Sequence, residues 1–305
     1  MSNRVIATID LGSNSFHLLI SKIENKTDAI KIHRSKQKVQ LRSGLTETND
    51  LSQSAKNRAL NCLKQFREKI IEHKVTEIKI LGTYTLRKAE KQISLFLEEA
   101  SKTIGARIEV ISGEEEARLI YVGASKMAKF DNKQVLIVDI GGGSTELIIG
   151  KGSQIFKLSS LEMGCVSIQD RFFSDGNLNE INFNAAISYA KGLLMPIFKD
   201  YKSISWQEAL GASGTIRSIA SVIRNTYEQP KMITKHYLDR LKNDLIKLKK
   251  VNAISFKGLR SDRENILPGG FCVLYAIFEL FDINSMYESQ GALREGMLFE
   301  AINQK

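Results

Sequence analysis

The chain has 305 residues, and its 44 Lys and Arg against 34 Asp and Glu give a net charge of +10. At roughly 150 residues per domain, this length predicts two domains. Apolar residues at 43% and charged residues at 26% exclude disordered and fibrous classes. The three cysteines, Cys62, Cys165 and Cys272, are too few and too far apart for a disulfide framework or a zinc site. With no signal-peptide pattern and no apolar run near the roughly 18 residues of a membrane span, we expect a cytoplasmic protein without a membrane partner.

Apolar periodicity predicts mixed strands and helices along the chain. Strands are expected at 5–9, 30–32, 78–81 and 108–111, with helices from Ser52 to His73, near 92–103 and from 112. The polar stretch 126–133 marks a boundary, which predicts domains 1–125 and 126–305. Helices in the second domain are expected near 178–199, 216–226, 234–250, 269–281 and from about 291. Packing of this last helix on the first domain is left open.

Two segments repeat each other at an offset of 129 residues. Residues 8–20 and 137–149 each contain an apolar run, an aspartate, a small polar turn and a second apolar run. The coinciding positions are Asp10 with Asp139, Gly12 with Gly141, Ser15 with Ser144, Leu18 with Leu147 and Ile20 with Ile149. This pattern predicts two β-hairpins and therefore two similar domains in tandem.

The small residues in both turns favour phosphate binding. Without side-chain bulk, successive backbone N–H groups can form a concavity that binds anions. Asp10 and Asp139 end the first strand of each hairpin, where they could hold Mg²⁺ directly or through water. The alternative is a tight hairpin between buried strands, since such turns are common. Two matched copies, each with its aspartate, favour the phosphate interpretation, and no P-loop or dinucleotide fingerprint is present.

A carboxylate for general base chemistry is predicted at Glu116. A capping box formed by Ser112 with Glu115 and a pair between Glu114 and Arg118 explain its neighbours as ordinary helix chemistry. Glu116 lies just beyond the capping positions, near the mouth of an expected interdomain cleft, where it could accept a proton from attacking water. The alternative is a solvated surface acid.

Two further segments have both a functional and a plain structural interpretation. Glu146 follows the second turn, where it would point toward Mg²⁺ and phosphate or be an exposed strand residue. Its repeat partner is His17. Two glycines and two hydroxyls at a predicted helix N-terminus suit a phosphate or a nucleotide, although any strand-to-helix turn can look similar; these residues are Gly211, Ser213, Gly214 and Thr215.

The positive charge is concentrated in two runs without acidic residues. Residues 29–46 contain Lys31, Arg34, Lys36, Lys38 and Arg42, and residues 245–261 contain Lys247, Lys249, Lys250, Lys257 and Arg260. Such a run is usually a solvated face, but two of them would suit a long polyanion. They lack interleaved aromatic residues and a reader motif, so nucleic acid is not a predicted partner.

Seven motifs resemble, in order, one known family. They lie at 10–16, 82–87, 112–117, 139–146, 163–166, 211–215 and 292–296. Together they resemble the exopolyphosphatase/guanosine pentaphosphate phosphatase (Ppx/GppA) family, within the superfamily of sugar kinases, heat-shock ATPases and actin. The similarity extends from about residue 5 to about residue 302.

The resemblance implies an α/β fold of two tandem ribonuclease H-like (actin-like ATPase) domains around an interdomain cleft. It implies removal of the terminal phosphate from polyphosphate or guanosine pentaphosphate (pppGpp), with Mg²⁺ as cofactor. The family's catalytic glutamate falls on Glu116, and its metal-side carboxylates fall on Asp139 and Glu146, to which the repeat adds Asp10. Its phosphate-binding residues fall on Gly12, Ser13, Asn14, Ser15, Arg87, Gly142, Gly143, Ser144 and Thr145.

The sequence departs from the family pattern in three respects. Gln40 stands where many relatives have Arg, and Gln290 stands where an acid is frequent, which weakens any metal role there. Long members carry a further C-terminal helical domain that 305 residues cannot hold, so a short-form member is expected. A homodimer is compatible with the sequence.

Two other functions stay open. A superfamily kinase or ATPase would use residues 211–215 for adenosine and transfer phosphate to an acceptor. A non-catalytic sensor would bind polyphosphate or guanosine phosphates without turnover, which the intact Glu116 disfavours. Polyphosphate and pppGpp present the same terminal anhydride, so the sequence does not choose between them.

Overall fold

The computed structural model of the chain describes residues 4–25, 28–89, 93–128, 133–228 and 230–303. The chain forms two compact units, one of Met1–Gly123 with Leu293–Lys305 and one of Ala124–Ala292. The domains 1–125 and 126–305 remain a prediction beside this division. Within the predicted linker 126–133, residues 129–132 lie outside the described residues.

The first unit is built on a five-stranded mixed sheet. Its strands are β1 (Val5–Leu11), β2 (Ser15–Ile23), β3 (Ala29–Lys38), β4 (Glu77–Gly82) and β5 (Glu109–Val110). Its helices are α1 (Gln53–Glu72), α2 (Tyr84–Ala89), α3 (Ser94–Ile104), the start of α4 (Gly113–Ala128), and α11 (Leu293–Asn303). The strand order is β3-β2-β1-β4-β5, with β1, β2 and β3 antiparallel and β4 and β5 parallel to β1.

The second unit is built on a six-stranded sheet. Its strands are β6 (Gln134–Ile140), β7 (Thr145–Lys151), β8 (Gln154–Leu161), β9 (Glu208–Ala212), β10 (Ile233–Thr234) and β11 (Ser285–Glu288). Its helices are α5 (Cys165–Phe172), α6 (Glu180–Ser203), α7 (Ser213–Thr226), α8 (Lys235–Leu248), α9 (Ser261–Glu264) and α10 (Leu267–Phe281). The strand order is β10-β11-β9-β6-β7-β8.

The predicted repeat is confirmed in the topology and register of the two sheets. Read as β8-β7-β6-β9-β11, the second sheet has the order and strand directions of the first. Each sheet also has a register shift on its second strand, between Ile20 and Ser21 and between Ile149 and Gly150. These shifts lie 129 residues apart, so the repeat extends beyond the hairpin turns. The α/β fold class is confirmed, and this strand order agrees with the expected ribonuclease H-like domains.

Each unit has its own apolar core. Helix α1 buries one stripe that includes Leu63, Phe66 and Ile70 against the first sheet, and the Ser52 hydroxyl caps it by accepting from the Ala55 N–H (3.4 Å). Helix α10 is almost entirely apolar and is buried from Leu267 to Phe278, at the centre of the second core. At roughly 1.5–3 kcal/mol for each large buried side chain, these two cores account for the main favourable term in folding.

The predicted helices are all present, within the limits of the described residues. The helices that periodicity missed are short: α2, α5 and α9 each span eight residues or fewer. The predicted pair between Glu114 and Arg118 is wrong. Arg118 instead contacts Glu115 (2.7 Å) and Glu300 of α11 (2.5 Å), because α11 brings a second acid to its guanidinium. Among the helices that the structure describes, each is too short or too polar to cross a bilayer.

Helix α11 packs on the first sheet although it is distant in sequence. Leu298, Ala301 and Ile302 cover Ile6 and Leu19 of β1 and β2. The Thr8 hydroxyl donates to the Arg294 carbonyl (3.4 Å), which ties the start of the helix to the middle of β1. The chain therefore completes its first unit with its last helix.

Gly296 sets the approach of α11 to α4, so Gly296→Ala should destabilise the first unit. An added Cβ would lie 1.9 Å from the Leu119 carbonyl oxygen, and such overpacking costs about 1–3 kcal/mol. Gly192→Ala is the matched control, because a Cβ at this helical glycine meets nothing within 4 Å and should stabilise α6 by up to about 1 kcal/mol. Thermal unfolding of both variants tests this, and equal midpoints would contradict the close contact.

Candidate active site

The β1–β2 turn presents two backbone N–H groups on the side away from residues 39–42. The Ser13 carbonyl accepts from the Arg42 N–H (2.9 Å), and the Asn14 carbonyl accepts from Val39 (3.1 Å) and Gln40 (2.9 Å). In a trans peptide the carbonyl and the following N–H point in opposite directions. The N–H groups of Asn14 and Ser15 therefore point away from residues 39–42, an arrangement typical of anion-binding turns.

Polar atoms near this turn are buried without a partner among the described residues. They are Asn14 Nδ2, Ser15 Oγ, Arg42 Nε and Thr85 Oγ1; a fifth, Ser21 Oγ, lies at the far end of β2 beside the register shift. A buried polar group without a hydrogen bond costs about 1–3 kcal/mol. Four such atoms near one turn indicate a polar ligand there.

Two of these residues were not predicted from the sequence. Thr85 is 1% exposed and lies in the motif 82–87, where a hydroxyl gives no specific signal. Arg42 belongs to the basic run 29–46, and only the hydrogen bond from its N–H to the Ser13 carbonyl distinguishes it from its neighbours.

Arg87 and Glu116 lie at the same edge of the first sheet as this turn. Leu11 of β1 pairs with Gly82 of β4, and the Thr83 N–H then donates to the Leu11 carbonyl (3.4 Å). The carboxyl ends of parallel strands meet at one edge, where open α/β sheets bind their ligands. The segments after β1, β4 and β5 therefore converge there.

Glu116 is held on the first turn of α4. The Ser112 hydroxyl caps this helix by accepting from the Glu115 N–H (3.0 Å), and Glu116 is only 8% exposed. Arg87 Nη1 donates to the Ile111 carbonyl (2.7 Å), and its Nη1 and Nη2 both reach Glu116 Oε2 at 3.4 Å. The predicted catalytic and phosphate-side residues of the first unit thus contact each other.

Asp10 of β1 and His17 of β2 are cross-strand partners in the first sheet. Arg294, at the start of α11, donates from Nη1 to Nδ1 of His17 (2.9 Å). Burial raises the pKa of Asp10 from 3.8 to about 6; the positive charge of Arg294 opposes this shift and the negative charge of Glu295 adds to it. Asp10 is therefore a carboxylate whose charge is costly in the folded chain.

The β6–β7 turn of the second unit has the same backbone design. The carbonyls of Gly141 and Gly142 accept from Cys165 and Val166 at the start of α5 (2.9 Å each). By the same peptide geometry, the N–H groups of Gly142 and Gly143 point away from α5. The contact also explains Gly164, where an added Cβ would lie 2.5 Å from the backbone of this turn.

Two predicted metal-side carboxylates of the second unit lie side by side. Asp139 and Glu146 are cross-strand partners on β6 and β7, and both are buried, at 8% and 1% exposure. The Ser160 hydroxyl of β8 donates to Glu146 Oε1 (2.7 Å), and Thr145 donates to the Met163 carbonyl (2.6 Å). Within the described ranges no group of three or more His, Cys, Asp and Glu side chains is placed to hold a metal ion.

The predicted nucleotide segment 211–215 forms the β9–α7 turn. A Cβ on Gly211 would lie 2.4 Å from Ile216, and one on Gly214 would lie 2.4 Å from the buried Arg263. Thr215 is buried against Gly270. Ser213 has a positive φ of 85°. Close packing thus explains both glycines, and a nucleotide role for Gly211, Ser213, Gly214 and Thr215 stays a prediction.

The two basic runs differ in how their charges are compensated. In the second run, Lys247 pairs with Asp244 (2.9 Å) and Arg260 with Asp262 (2.9 Å), so acids just outside the run offset it. In the first run, Lys31 pairs with Glu295 (3.4 Å).

The fold of the chain agrees with comparisons to known proteins. The model of the Ppx/GppA phosphatase family matches residues 19–305. A Haemophilus influenzae protein provisionally named exopolyphosphatase is 38% identical over 296 residues, 97% of this chain and 91% of that protein. The chain belongs to the Ppx/GppA phosphatase family. The predicted family is confirmed.

Some relatives are longer than this chain and others match it over nearly their full length. A guanosine-5'-triphosphate,3'-diphosphate pyrophosphatase of Aliivibrio fischeri is 41% identical over 298 residues, or 98% of this chain, but the chain spans only 59% of that relative. The crystal structure of an exopolyphosphatase from Cytophaga hutchinsonii superposes with a TM-score of 0.88 at 27% identity, covering 98% of both chains.

The pKa of Asp10 predicts a pH-dependent stability difference. Because its folded pKa of about 6 exceeds the ordinary 3.8, protonation of Asp10 stabilises the fold as the pH falls from about 6 to about 4. Asp10→Asn removes this titration. As the pH rises from 4 to 7, the free energy of unfolding of the variant should therefore increase relative to that of the wild type by roughly 2–3 kcal/mol, at about 1.4 kcal/mol for each pKa unit. Thermal unfolding of both proteins across this range, with a chelator present, measures the gain. A difference independent of pH would show that Asp10 titrates normally.

Proposed function

We propose that this chain hydrolyses the terminal phosphoanhydride bond of inorganic polyphosphate or of guanosine pentaphosphate and releases orthophosphate. The observation that carries the proposal is the first unit's sheet edge, where a buried glutamate paired with an arginine accompanies a turn with outward N–H groups. The polar atoms of Asn14, Ser15 and Thr85 that have no partner within the described ranges lie in the same region. The names of the relatives support both substrates.

Glu116 is the proposed general base. Water attacks the terminal phosphorus in line with the bridging oxygen; the new P–O bond forms, the bridging P–O bond breaks, and the bridging oxygen leaves on the shortened chain. Glu116 takes the proton from the water. Arg87 holds the Glu116 carboxylate through Oε2 and leaves donors of its five-donor guanidinium for a phosphate oxygen.

The turn supplies electrostatic stabilisation. Negative charge on the transferred phosphoryl oxygens needs donors that are oriented before the reaction. The N–H groups of Asn14 and Ser15 are held in place by hydrogen bonds on the opposite side of the turn, so they need no reorganisation. The side chains of Asn14 and Thr85 add donors that have no partner among the described residues.

Mg²⁺ fits the carboxylates that the chain provides. Magnesium takes oxygen ligands, usually one or two carboxylates with waters and substrate phosphates. Asp139 and Glu146 form a buried oxygen pair, and Asp10 is a third carboxylate, in the first unit. Bound at the Asp139–Glu146 pair, the ion would neutralise phosphate charge. We also propose an intracellular setting for the protein.

Glu116→Gln should reduce orthophosphate release by about 10²–10⁴-fold, the usual contribution of a positioned base. Glu114→Gln is the matched control, because Glu114 is exposed on the same helix turn and should leave the rate unchanged. Orthophosphate is measured with Mg²⁺ from tripolyphosphate and from guanosine pentaphosphate, and unfolding midpoints confirm intact folds. Full activity of Glu116→Gln would remove the assignment, and phosphate transfer to an acceptor would favour a kinase.

Asn14→Asp tests the phosphate-binding turn. The change replaces a buried donor by a negative oxygen of nearly the same size, so it should lower kcat/KM by about a hundredfold or more, like the loss of an oxyanion donor. Asn61→Asp adds the same charge on an exposed face of α1 and serves as the control. Equal kcat/KM values for the two variants would place the substrate elsewhere.

A further inference from the structure

We propose that three basic residues on one face of β3 form a binding site for the phosphates that follow the terminal one in a polyphosphate chain. The residues are Arg34, Lys36 and Lys38, here called the β3 row. The inference rests on the proposed function, because the row begins at the proposed phosphate-binding turn. This surface would increase the affinity for a linear polyanion more than for a compact nucleotide.

The three side chains share one face of the first sheet. Lys38 pairs with Ser15, Lys36 with His17 and Arg34 with Leu19 across the antiparallel β2–β3 ladder. Cross-strand partners point to the same side, and alternate residues of a strand share a face. At about 3.4 Å per residue, the row extends about 14 Å along β3 from the turn.

Helix α1 covers the opposite face. Gln37 donates to Gln65 of α1, and the ring of His33 lies 5.1 Å from that of His73 at the end of this helix. Arg34, Lys36 and Lys38 alternate with His33 and Gln37 along β3 and therefore point away from α1. Among the described residues β3 is the last strand of its sheet, so the row lies along an edge that a linear ligand can reach.

The fold does not use the charges of Arg34 and Lys38, the two ends of this row. The side chains of Arg34 and Lys38 are exposed and make no hydrogen bond or ion pair with the residues that the structure describes. Lys31, which precedes the row on β3, differs from Arg34 and Lys38 because it forms an ion pair with Glu295 (3.4 Å). Two exposed cations flanking Lys36 therefore have charge available for an external anion.

The internal repeat provides a comparison within the same chain. In the second sheet, the strand corresponding to β3 is β8, and its residues paired with Glu146 and Ile148 are Ser160 and Leu158. These positions correspond to Lys36 and Arg34, which pair with His17 and Leu19. The fold therefore does not require cations there, and the row is a property of the first unit alone.

The turn end of the row also has unsatisfied donors. Arg42 Nε is buried without a hydrogen-bond partner in the described part of the chain, and the Arg42 N–H donates to the Ser13 carbonyl of the turn. The same holds for Asn14 Nδ2 and Ser15 Oγ, which find no partner among the described residues. These atoms indicate an anion at the turn, and the β3 row would continue its binding site outward. A chain of phosphates, with a negative charge on every unit, matches this linear arrangement.

The experiment compares a double variant with a control of equal charge. Arg34→Gln/Lys38→Gln removes two cations of the row, and Lys64→Gln/Lys74→Gln removes two exposed cations from α1 and its C-terminal end. For the row variant we expect kcat/KM for long-chain polyphosphate to fall by about tenfold, while tripolyphosphate changes by less than about twofold. The dependence of log KM on log salt should become shallower by roughly 0.7 for each contact removed, as for other single-stranded polyanions. The α1 variant should match the wild type in each measurement.

Binding separates this inference from the proposed function. If the wild type releases no phosphate from any substrate, the proposed function fails, and calorimetric titration with long-chain polyphosphate still tests the row. Weaker binding by the row variant alone supports the inference. Three results would each overturn the inference. The two variants could bind long-chain polyphosphate equally well, or the row variant could lose as much kcat/KM on tripolyphosphate as on the long chain. Single-stranded RNA could also compete as well as polyphosphate at the same phosphate concentration.

Discussion

The two candidate phosphate-binding turns depend on hydrogen bonds that hold their backbone carbonyl groups. Residues 39–42 bind the carbonyls of the first turn, and the start of α5 binds those of the second. A peptide whose carbonyl is held in this way must present the next N–H on the other side. Segments far from each turn in sequence thus orient its donors, which explains why small residues alone do not define a phosphate site.

The two units share this backbone design but carry different side chains on it. The turns, the register shifts and the aspartates recur at one offset, whereas the partner of Asp10 is His17 and the partner of Asp139 is Glu146. The first unit therefore has a buried glutamate paired with an arginine, and exposed cations on β3. The second has a buried carboxylate pair suited to a metal ion. Duplication explains the common frame, and divergence within it explains the division of chemical roles.

Sequence reasoning predicted the parts of this architecture that are local or repeated. The hairpins, the long amphipathic helices and Glu116 follow from periodicity, capping and motifs, because each depends on residues close in the chain. Arg42 and Thr85 could not be predicted, since their significance lies in atoms left without partners after folding. The Glu114–Arg118 pair was predicted wrongly for a related reason: α11 delivers Glu300 from almost two hundred residues away. Domain limits and the assigned site roles remain predictions.

Helix α11 links the stability of the first unit to the charge of its buried aspartate. Burial opposes ionisation of Asp10, and Arg294, the compensating cation, is delivered by the first turn of α11. That helix can approach only because Gly296 has no side chain against the Leu119 carbonyl. A charged carboxylate is costly to bury, and the protein partly offsets this cost with an arginine from a distant segment. Arg294 also contacts His17, so a change that displaces α11 would alter the charge environment of both Asp10 and His17.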